Sequence, residues 1–480
     1  MSVGMFTVTD MINNLRAHLF EINRAAAPFT INGRQYAAGD YVILTNQPYG
    51  LLVKDLLGIQ TYPLNETPFD VTGWSYGLLR DVETIPVTTT WPSSVGLIPV
   101  TADIPYAGTL MGDVSDRYVI EHQSNNNLAV ALPQLWADPD MSVAQADAAF
   151  AAGGRTFPAG TFVVTTSGSA ADHAKIQALA ADLGLTAYSI TETVTATPLR
   201  QPRVGLYTPN NSTGSTMPEG WVRMRLDRAG FPYTRLYKED ISSGALSDYD
   251  VVVIPDITTS GLVNGSSSSS LPPEYRGGIG NTGVANLKSF VENGGTLVMM
   301  GRASAVPINK GWNVGVTLPA SVQAAIAATE PAPGEEEDVD FPSDKLAKQA
   351  AATAGTAAEQ FYCPGSILRI EVDPSARVGY GYDPEEASWC ESGMPFFVPT
   401  ADSTATIVAH YPDTGTVLLS GYTSGESQIL GKAAIVDSPL GKGHVILLAP
   451  NTLYRAQATS TYMFFWNSLI EGARPDATQK

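Results

Sequence analysis

Cysteine is almost absent: Cys363 and Cys390 are the only two in 480 residues. They lie 27 positions apart in one stretch of the chain. Two readings stay open, a disulfide in an oxidising compartment or two buried thiols. Basic residues are also scarce, with 28 Lys and Arg against 47 Asp and Glu and a net charge of −19. That balance argues against nucleic acid or an anionic membrane as partner, since both need a basic patch, and no local cluster of Lys and Arg makes an exception. No apolar run approaches the roughly 18–20 residues of a membrane span. The opening MSVGMFTVTDMINN lacks the basic and then apolar regions of a secretory signal. Either the protein is cytosolic or a targeting signal lay upstream.

What the chain does have is a repeat. Residues 21–45 recur 121 positions later as residues 142–166, with nine identities in 25 ungapped positions. Ala25, Ala27, Phe29, Gly33, Arg34, Ala38, Gly39, Val42 and Thr45 match Ala146, Ala148, Phe150, Gly154, Arg155, Ala159, Gly160, Val163 and Thr166. Such a match is most simply a duplicated structural unit. A length of 480 residues calls for two to four domains, and 44% hydrophobic with 16% charged residues fits an ordered globular protein.

The second copy reads as strand (Arg117–Glu121), helix (Asn126–Trp136), strand and turn (SVAQADAAF), strand (Thr161–Thr165) and amphipathic helix (Ala170–Leu185). The first copy is expected in the same order: strand Phe6–Thr9, helix Met11–Phe20, strands Glu21–Ala25 and Tyr41–Thr45, and helix Gly50–Gln60. On that reading it is complete from about residue 5, and Met1 sits near a module edge. Residues 63–115 connect the copies, with Trp74 as a packing anchor.

From Arg203 onward, buried-strand patterns alternate with helices: RVGLYT, Pro218–Ala229, Thr234–Tyr237, VVVIP, Gly283–Asn293, TLVMM, HVILL and Ser460–Ile470. This pattern predicts a doubly wound parallel sheet. A serine-rich loop spans Val263–Gly280, and an acidic loop with a short helix is expected over residues 330–360. Residues 366–440 read as β-rich.

The stretches YAAGDYVILTNQPYG, PFDVTGWSYG, FPAGTFVV, LPPEYRGGIGNTGVANLKSFVENGGTLV, FYCPGSILRIEV and GKGHVILLAPNTLYRAQATSTYMFFWNSL resemble the C-terminal, non-peptidase portion of large bacterial or archaeal zinc carboxypeptidase-like proteins, related to carboxypeptidase A. The resemblance covers nearly the whole chain. It implies that the segment from Arg203 is similar to the class I glutamine amidotransferase fold, and that the zinc ligands sit on a peptidase domain without counterpart here.

The expected fold is therefore α/β: two tandem copies of a small α/β module followed by a flavodoxin-like, amidotransferase-like parallel-sheet domain with a β-rich insertion. The divisions fall at 1–62 for copy one, 63–115 for the connection, 116–200 for copy two and 201–475 for the last domain, with the insertion at about 305–400.

Four places bear on chemistry. His18-Leu-Phe-Glu21 matches the H-x-x-E of zinc peptidases literally, but the second copy lacks it. The remaining histidines, His122, His173, His410 and His444, show no ligand spacing. An amidotransferase needs a cysteine at the elbow after TLVMM, and there the chain reads Gly301-Arg302-Ala303-Ser304-Ala305. Ala303 takes the nucleophile's place and Ser304 is one residue off. The Gly277–Gly280 turn lacks a dinucleotide fingerprint or a P-loop lysine, and Glu335–Asp340 lacks EF-hand spacing.

No catalytic, cofactor-binding or metal-ligating residues are expected, and no cofactor. The leading expectation is a non-catalytic binding or assembly protein, extracellular or periplasmic by the resemblance. It would associate with itself or with another extracellular protein or glycan, and with neither nucleic acid nor a membrane span. The rival is an enzyme, either a metallocarboxypeptidase with its zinc domain elsewhere or a hydrolase using the amidotransferase-like cleft. Asn65, Asn210, Asn211 and Asn264 are N-glycosylation acceptors in an extracellular setting.

Overall fold

The protein is described from a computed structural model covering residues 5–63, 66, 68, 70–123, 125–209, 216–269, 271–323, 361–391 and 393–475. The acidic run Glu335–Asp340, the short helix expected within 330–360, and Asn65, Asn210 and Asn211 lie outside the described residues.

The first region opens on helix α1 (Met5–Ala17). This corrects the expected strand Phe6–Thr9. Val8, Met11, Ile12 and Leu15 recur at helical spacing and pack into one small core with Phe20, Ile22 and Val53. There follow β1 (Asn23–Ala25), β2 (Phe29–Ile31), β3 (Arg34–Tyr36), β4 (Tyr41–Val42), α2 (Gly50–Leu57) and, much later, β5 (Leu97–Pro99). Strands β2 and β3 form a hairpin closed by Asn32-Gly33, both at positive φ. That is the two-residue turn whose twist matches its strands. The remaining strands make a three-stranded sheet in the order β4-β1-β5.

The second region holds β6 (Thr109–Met111), β7 (Arg117–Ile120), α3 (Leu128–Ala137), β8 (Ser142–Gln145), β9 (Phe150–Ala152), β10 (Arg155–Phe157), β11 (Phe162–Thr165), α4 (Ala170–Leu183), β12 (Thr186–Ile190) and β13 (Thr197–Leu199). Its sheet has six strands in the order β13-β8-β11-β7-β12-β6. The 121-residue spacing recurs in individual backbone bonds. Ala25 N–H donates to Asp40 O at 2.9 Å and Gly39 N–H to Ala25 O at 2.8 Å; Ala146 N–H donates to Thr161 O at 2.9 Å and Gly160 N–H to Ala146 O at 2.8 Å. Gly153-Gly154 turns the β9–β10 hairpin as Asn32-Gly33 turns β2–β3.

The third region carries β14 (Val204–Tyr207), α5 (Thr216–Ala229), β15 (Tyr233–Leu236), α6 (Lys238–Ser243), β16 (Val251–Ile254), α7 (Thr259–Val263), α8 (Gly280–Glu292), β17 (Thr296–Met300), α9 (Val306–Asn309) and β18 (Val316–Thr317). It continues with β19 (Ser366–Val372), β20 (Glu385–Cys390), β21 (Val398–Pro399), β22 (Thr406–His410), β23 (Leu418–Ser420), β24 (Ala433–Leu440), β25 (Gly443–Leu448) and α10 (Tyr462–Glu471). Strands β15-β14-β16-β17-β25 are parallel neighbours. In order of appearance that is 2-1-3-4-5, a doubly wound arrangement. The β-rich stretch is no separate layer. Strands β24, β22, β19 and β20 extend the same sheet antiparallel, and β23 pairs beside β19, making ten strands in all.

The connection after α2 is docked rather than loose. Thr72 and Gly73 N–H both donate to Gly365 O, at 2.8 and 3.0 Å. Thr72 Oγ1 meets Ser366 Oγ at 2.8 Å, and Ser75 Oγ meets Ser420 Oγ at 2.7 Å. A Cβ on Gly73 would stand 2.5 Å from Ser420 O, so only glycine lets the backbones approach this closely.

Helix α10 ties the second and third regions together. All ten of its residues are buried. Trp466 packs near Phe231, which meets Trp136, at centroid distances of 5.9 and 6.0 Å; Trp136 belongs to α3. Asn467 Oδ1 meets His122 Nε2 at 2.8 Å, while its amide donates to Val378 O and Tyr380 O. Just beyond, the buried Arg474 donates to Asp147 and Gln145, at 2.6 and 2.8 Å.

Full burial holds the His122 imidazole down at about 4, against the bond from Asn467. The unfolded chain therefore takes up a proton near pH 6.5 that the folded chain refuses. Stability from this site is whole above pH 6.5 and is lost as pH falls toward 4, by about 3 kcal/mol at most. Urea titrations across pH 4–8 should show His122→Gln with a shallower acid loss than the native chain. An unchanged slope would mean His122 is not the buried proton acceptor.

Candidate functional site

In an open parallel sheet, ligands and reacting groups gather outside the carboxyl ends of the strands, near the point where strand order reverses. Here that edge is formed where β14, β16, β17 and β25 end. At the end of β14, Thr208 Oγ1 donates to the buried Glu219 at 3.0 Å, and the Arg235 guanidinium lies 3.6 Å from the same carboxylate. Two residues past β16, Asp256 is buried at the mouth of the elbow that follows β17.

The elbow itself is Gly301–Ala305, a 3-10 turn entered through Gly301 at φ +55°. Asp256 fills it. Its carboxylate accepts from the Arg302 backbone N–H at 2.8 Å, from Arg302 Nε at 3.0 Å and from Nη2 at 2.8 Å. A Cβ on Gly301 would stand 2.6 Å from Asp256 Oδ1. Ala303 is fully buried, and so is Ser304, whose Oγ donates back to Gly301 O at 2.5 Å. The strand-to-turn position where a nucleophile would project thus holds a bidentate ion pair and a serine turned inward.

Glu391 follows β20 and borders the same charges. Burial and the nearby Asp256 push its carboxyl up to about 7, against Arg302, Asn451 and Arg455 pulling it down. Arg455 and Ala456 both have positive φ, 47° and 53°, unusual for residues with side chains. Sequence reasoning did not single out Asp256, Glu391, Asn451 or Arg455. An aspartate just past the core strand VVVIP was a usable signal for the first. The others come from distant stretches that only the sheet brings close.

The remaining sequence candidates are dispersed. His18 Nδ1 contacts Asn14 O at 2.8 Å on an exposed surface, and the Glu21 side chain is exposed nearby. Among the described residues no group of three or more His, Cys, Asp or Glu is placed to hold a metal. His444 is the second residue of β25, at the opposite end of the sheet from Gly301, and bonds Asp437 at 2.8 Å. Cys363 and Cys390 are both buried, and no disulfide joins them in this structure. They are neighbours, with Cys363 Sγ 3.1 Å from Cys390 O. A cavity of about 210 Å³ lies between Ile59–Tyr62 and Leu418–Thr423, lined by none of the elbow residues. Asn264, the described glycosylation acceptor, is exposed. Among the described residues no helix is long and apolar enough to cross a membrane.

No family model matches the chain, and no curated protein matches it. Among solved structures it is similar to an exo-β-1,4-mannosidase from Opitutaceae bacterium strain TAV5, with 13% identity and a TM-score of 0.27 over 56% of this chain and 35% of that one. A β-galactosidase from Bacillus circulans gives 12% and 0.25 over 55% and 31%. The chain thus spans about a third of the length of either glycosidase. A GMP synthase subunit from Thermoplasma acidophilum gives 9% and 0.29 over 57% and 94%. At these TM-scores none of the three decides fold or activity.

The raised Glu391 carboxyl has a stability consequence opposite in sign to that of His122. The folded chain holds this proton from pH 4.5 to about 7 while the unfolded chain releases it, so its contribution is lost as pH rises through that window. Glu391→Gln should be more stable than the native chain at pH 8 by about 1–3 kcal/mol, with the gain vanishing near pH 4.5. Denaturant titration at the two pH values checks this. A loss of stability at pH 8 would show that the ionised carboxylate is needed there.

Proposed function

We propose that the chain is a non-catalytic binding and assembly protein built on the accessory region of a zinc carboxypeptidase-like architecture. On this reading residues 1–62 and 116–200 are two copies of one α/β module joined by 63–115. Residues 201–475 form a flavodoxin-like domain of the class I amidotransferase kind, with its insertion at about 305–400. The paired hydrogen bonds at Ala25 and Ala146 support the duplication, and the 2-1-3-4-5 strand order supports the flavodoxin-like assignment.

The observation that carries the functional reading is the Asp256–Arg302 ion pair. A nucleophile elbow needs an exposed side chain at its apex, a base within reach and free N–H groups for the developing oxyanion. In this elbow the Arg302 N–H is already taken by Asp256, and Ser304 Oγ is turned onto Gly301 O. The fold keeps the shape of a catalytic edge while its polar groups satisfy one another. The proposed setting is extracellular or periplasmic, with a second copy of the chain or an extracellular protein or glycan as partner.

The test uses reactive probes on the folded protein. A fluorophosphonate should leave Ser304 unlabelled, and a thiol reagent should modify Cys363 and Cys390 only after denaturation. Stoichiometric labelling of Ser304, or peptidase or glutaminase turnover abolished by Glu391→Gln, would reverse the non-catalytic reading.

A further inference from the structure

Arginines packed into this protein generally come with an acid. Arg302 has Asp256 at 2.8 Å, Arg474 has Asp147 at 2.6 Å, and Arg377 has Glu471 at 2.8 Å. Arg200 and Arg203 share Asp250 at 2.5 and 2.8 Å. Two arginines break the pattern. Arg80 ends the 3-10 turn Leu78–Arg80 in the connection after α2; it is 8% exposed, and its Nε has no hydrogen-bond partner. Arg225 of α5 is half-buried, and its Nε is likewise buried without a partner. Among the described residues neither has a carboxylate within 4.0 Å. Each lies instead over a phenol ring, Arg80 over Tyr76 at 4.1 Å and Arg225 over Tyr462 at 4.6 Å. Such a contact offsets part of the desolvation of a guanidinium but leaves its in-plane N–H groups without acceptors.

The two arginines border one place. Trp221, one turn before Arg225 on the same side of α5, meets Tyr454 at 5.3 Å, and Leu78 and Leu79 join both in a single apolar cluster. The turn that carries Arg80 also packs against Thr459–Thr461, the turn from which α10 starts at Tyr462. Tyr462 is fully buried, and its hydroxyl has no partner. Burial pushes that hydroxyl up to about 12, against Arg225, Arg80 and Arg228, which all pull it down. Arg228 is exposed, one turn beyond Arg225. Asp10 of α1 also acts on Arg225, but it already accepts from Tyr106 OH at 2.5 Å. Three guanidiniums thus surround one buried hydroxyl in a protein of net charge −19. Burying a guanidinium with no counter-ion is costly.

We propose that Arg80, Arg225 and Tyr462 form a binding site for a fully ionised oxyanion, a sulfate or carboxylate group, at the seam between the connection after α2 and the third region. Each unpartnered group named here can donate, so the site suits a ligand that only accepts. Sulfate and carboxylate are such ligands, and the planar guanidinium is the side chain that grips either one through two N–H groups. None of these residues belongs to the elbow after β17, so this is a second site, independent of the non-catalytic reading of the first. An anion held there ties the connection to α5 and α10.

Isothermal titration calorimetry of the full chain with sodium sulfate and, separately, sodium acetate is the test. Both are run against sodium chloride of equal ionic strength, in the low millimolar range where the general exclusion of sulfate from protein surfaces adds little. The expected result is saturable binding of one anion per chain, abolished in Arg80→Met and Arg225→Met. Tyr462→Phe removes a single hydrogen bond to a charged ligand and should weaken binding about ten-fold or more. Saturation by sulfate alone identifies a sulfate-type group, and saturation by acetate alone a carboxylate. Thermal unfolding gives a second readout. In chloride, Arg225→Met should melt no lower than the native chain, because it removes an unpaired charge; sulfate should raise the native midpoint and leave that of Arg225→Met unchanged. A native chain that binds neither anion, or binding indifferent to all three substitutions, would overturn the proposal. An Arg225→Met chain that melts well below the native one in chloride would do the same, since the guanidinium would then have its partners within the fold.

Discussion

Burial of α10 is the constraint on which most of the structure depends. A helix with no exposed residue needs apolar cover and partners for most of the polar groups it carries. Its apolar residues meet the parallel sheet, and Trp466 continues through Phe231 to Trp136 of the second region. Among its polar residues, Asn467 meets His122 of the second region and donates to the Val378 and Tyr380 carbonyls, and Glu471 pairs with Arg377. Displacing the helix would strand several buried polar groups at once, so the second and third regions are held in one register rather than merely adjacent.

The same principle of mutual satisfaction governs the elbow after β17. A parallel sheet directs strand ends and turn N–H groups toward one edge, and unpaired groups there are what a catalytic site exploits. Asp256 and Arg302 consume them. Asp250 plays a comparable part at the opposite end of β16, accepting from Arg200 and Arg203. Burial pushes that carboxyl up, but the two guanidiniums outweigh it and hold it well below the usual range. Both ends of the central strand are therefore flanked by arginine–carboxylate pairs.

Against this closure, the first region is the open part of the molecule. Its core is small, its sheet has three strands, and its connection to the rest runs through the hydroxyl seam of Thr72, Ser75, Ser366 and Ser420. That seam is polar and sequence-distant; Gly73 lets the backbones meet, and Gly421 leaves room for the Thr72 and Ser366 hydroxyls. It anchors the connection to the ten-stranded sheet.

Much of the secondary structure was legible in the residues because periodicity is a local property. VVVI and TLVMM announce buried parallel strands, and the helical spacing of Leu128, Ala131, Leu132 and Leu135 announces α3. Reading Phe6–Thr9 as a strand failed because four residues cannot separate the two periods, whereas Val8 through Leu15 read together are helical. The repeat and the missing elbow cysteine were likewise set by sequence alone, since each depends only on which residue follows which. Tertiary structure alone decided that β19 and β20 join the main sheet and that Glu391 lies beside Asp256 and Arg302. Strand pairing, burial and charge proximity join residues hundreds of positions apart, and no local pattern encodes which partner a strand edge or a carboxylate will meet.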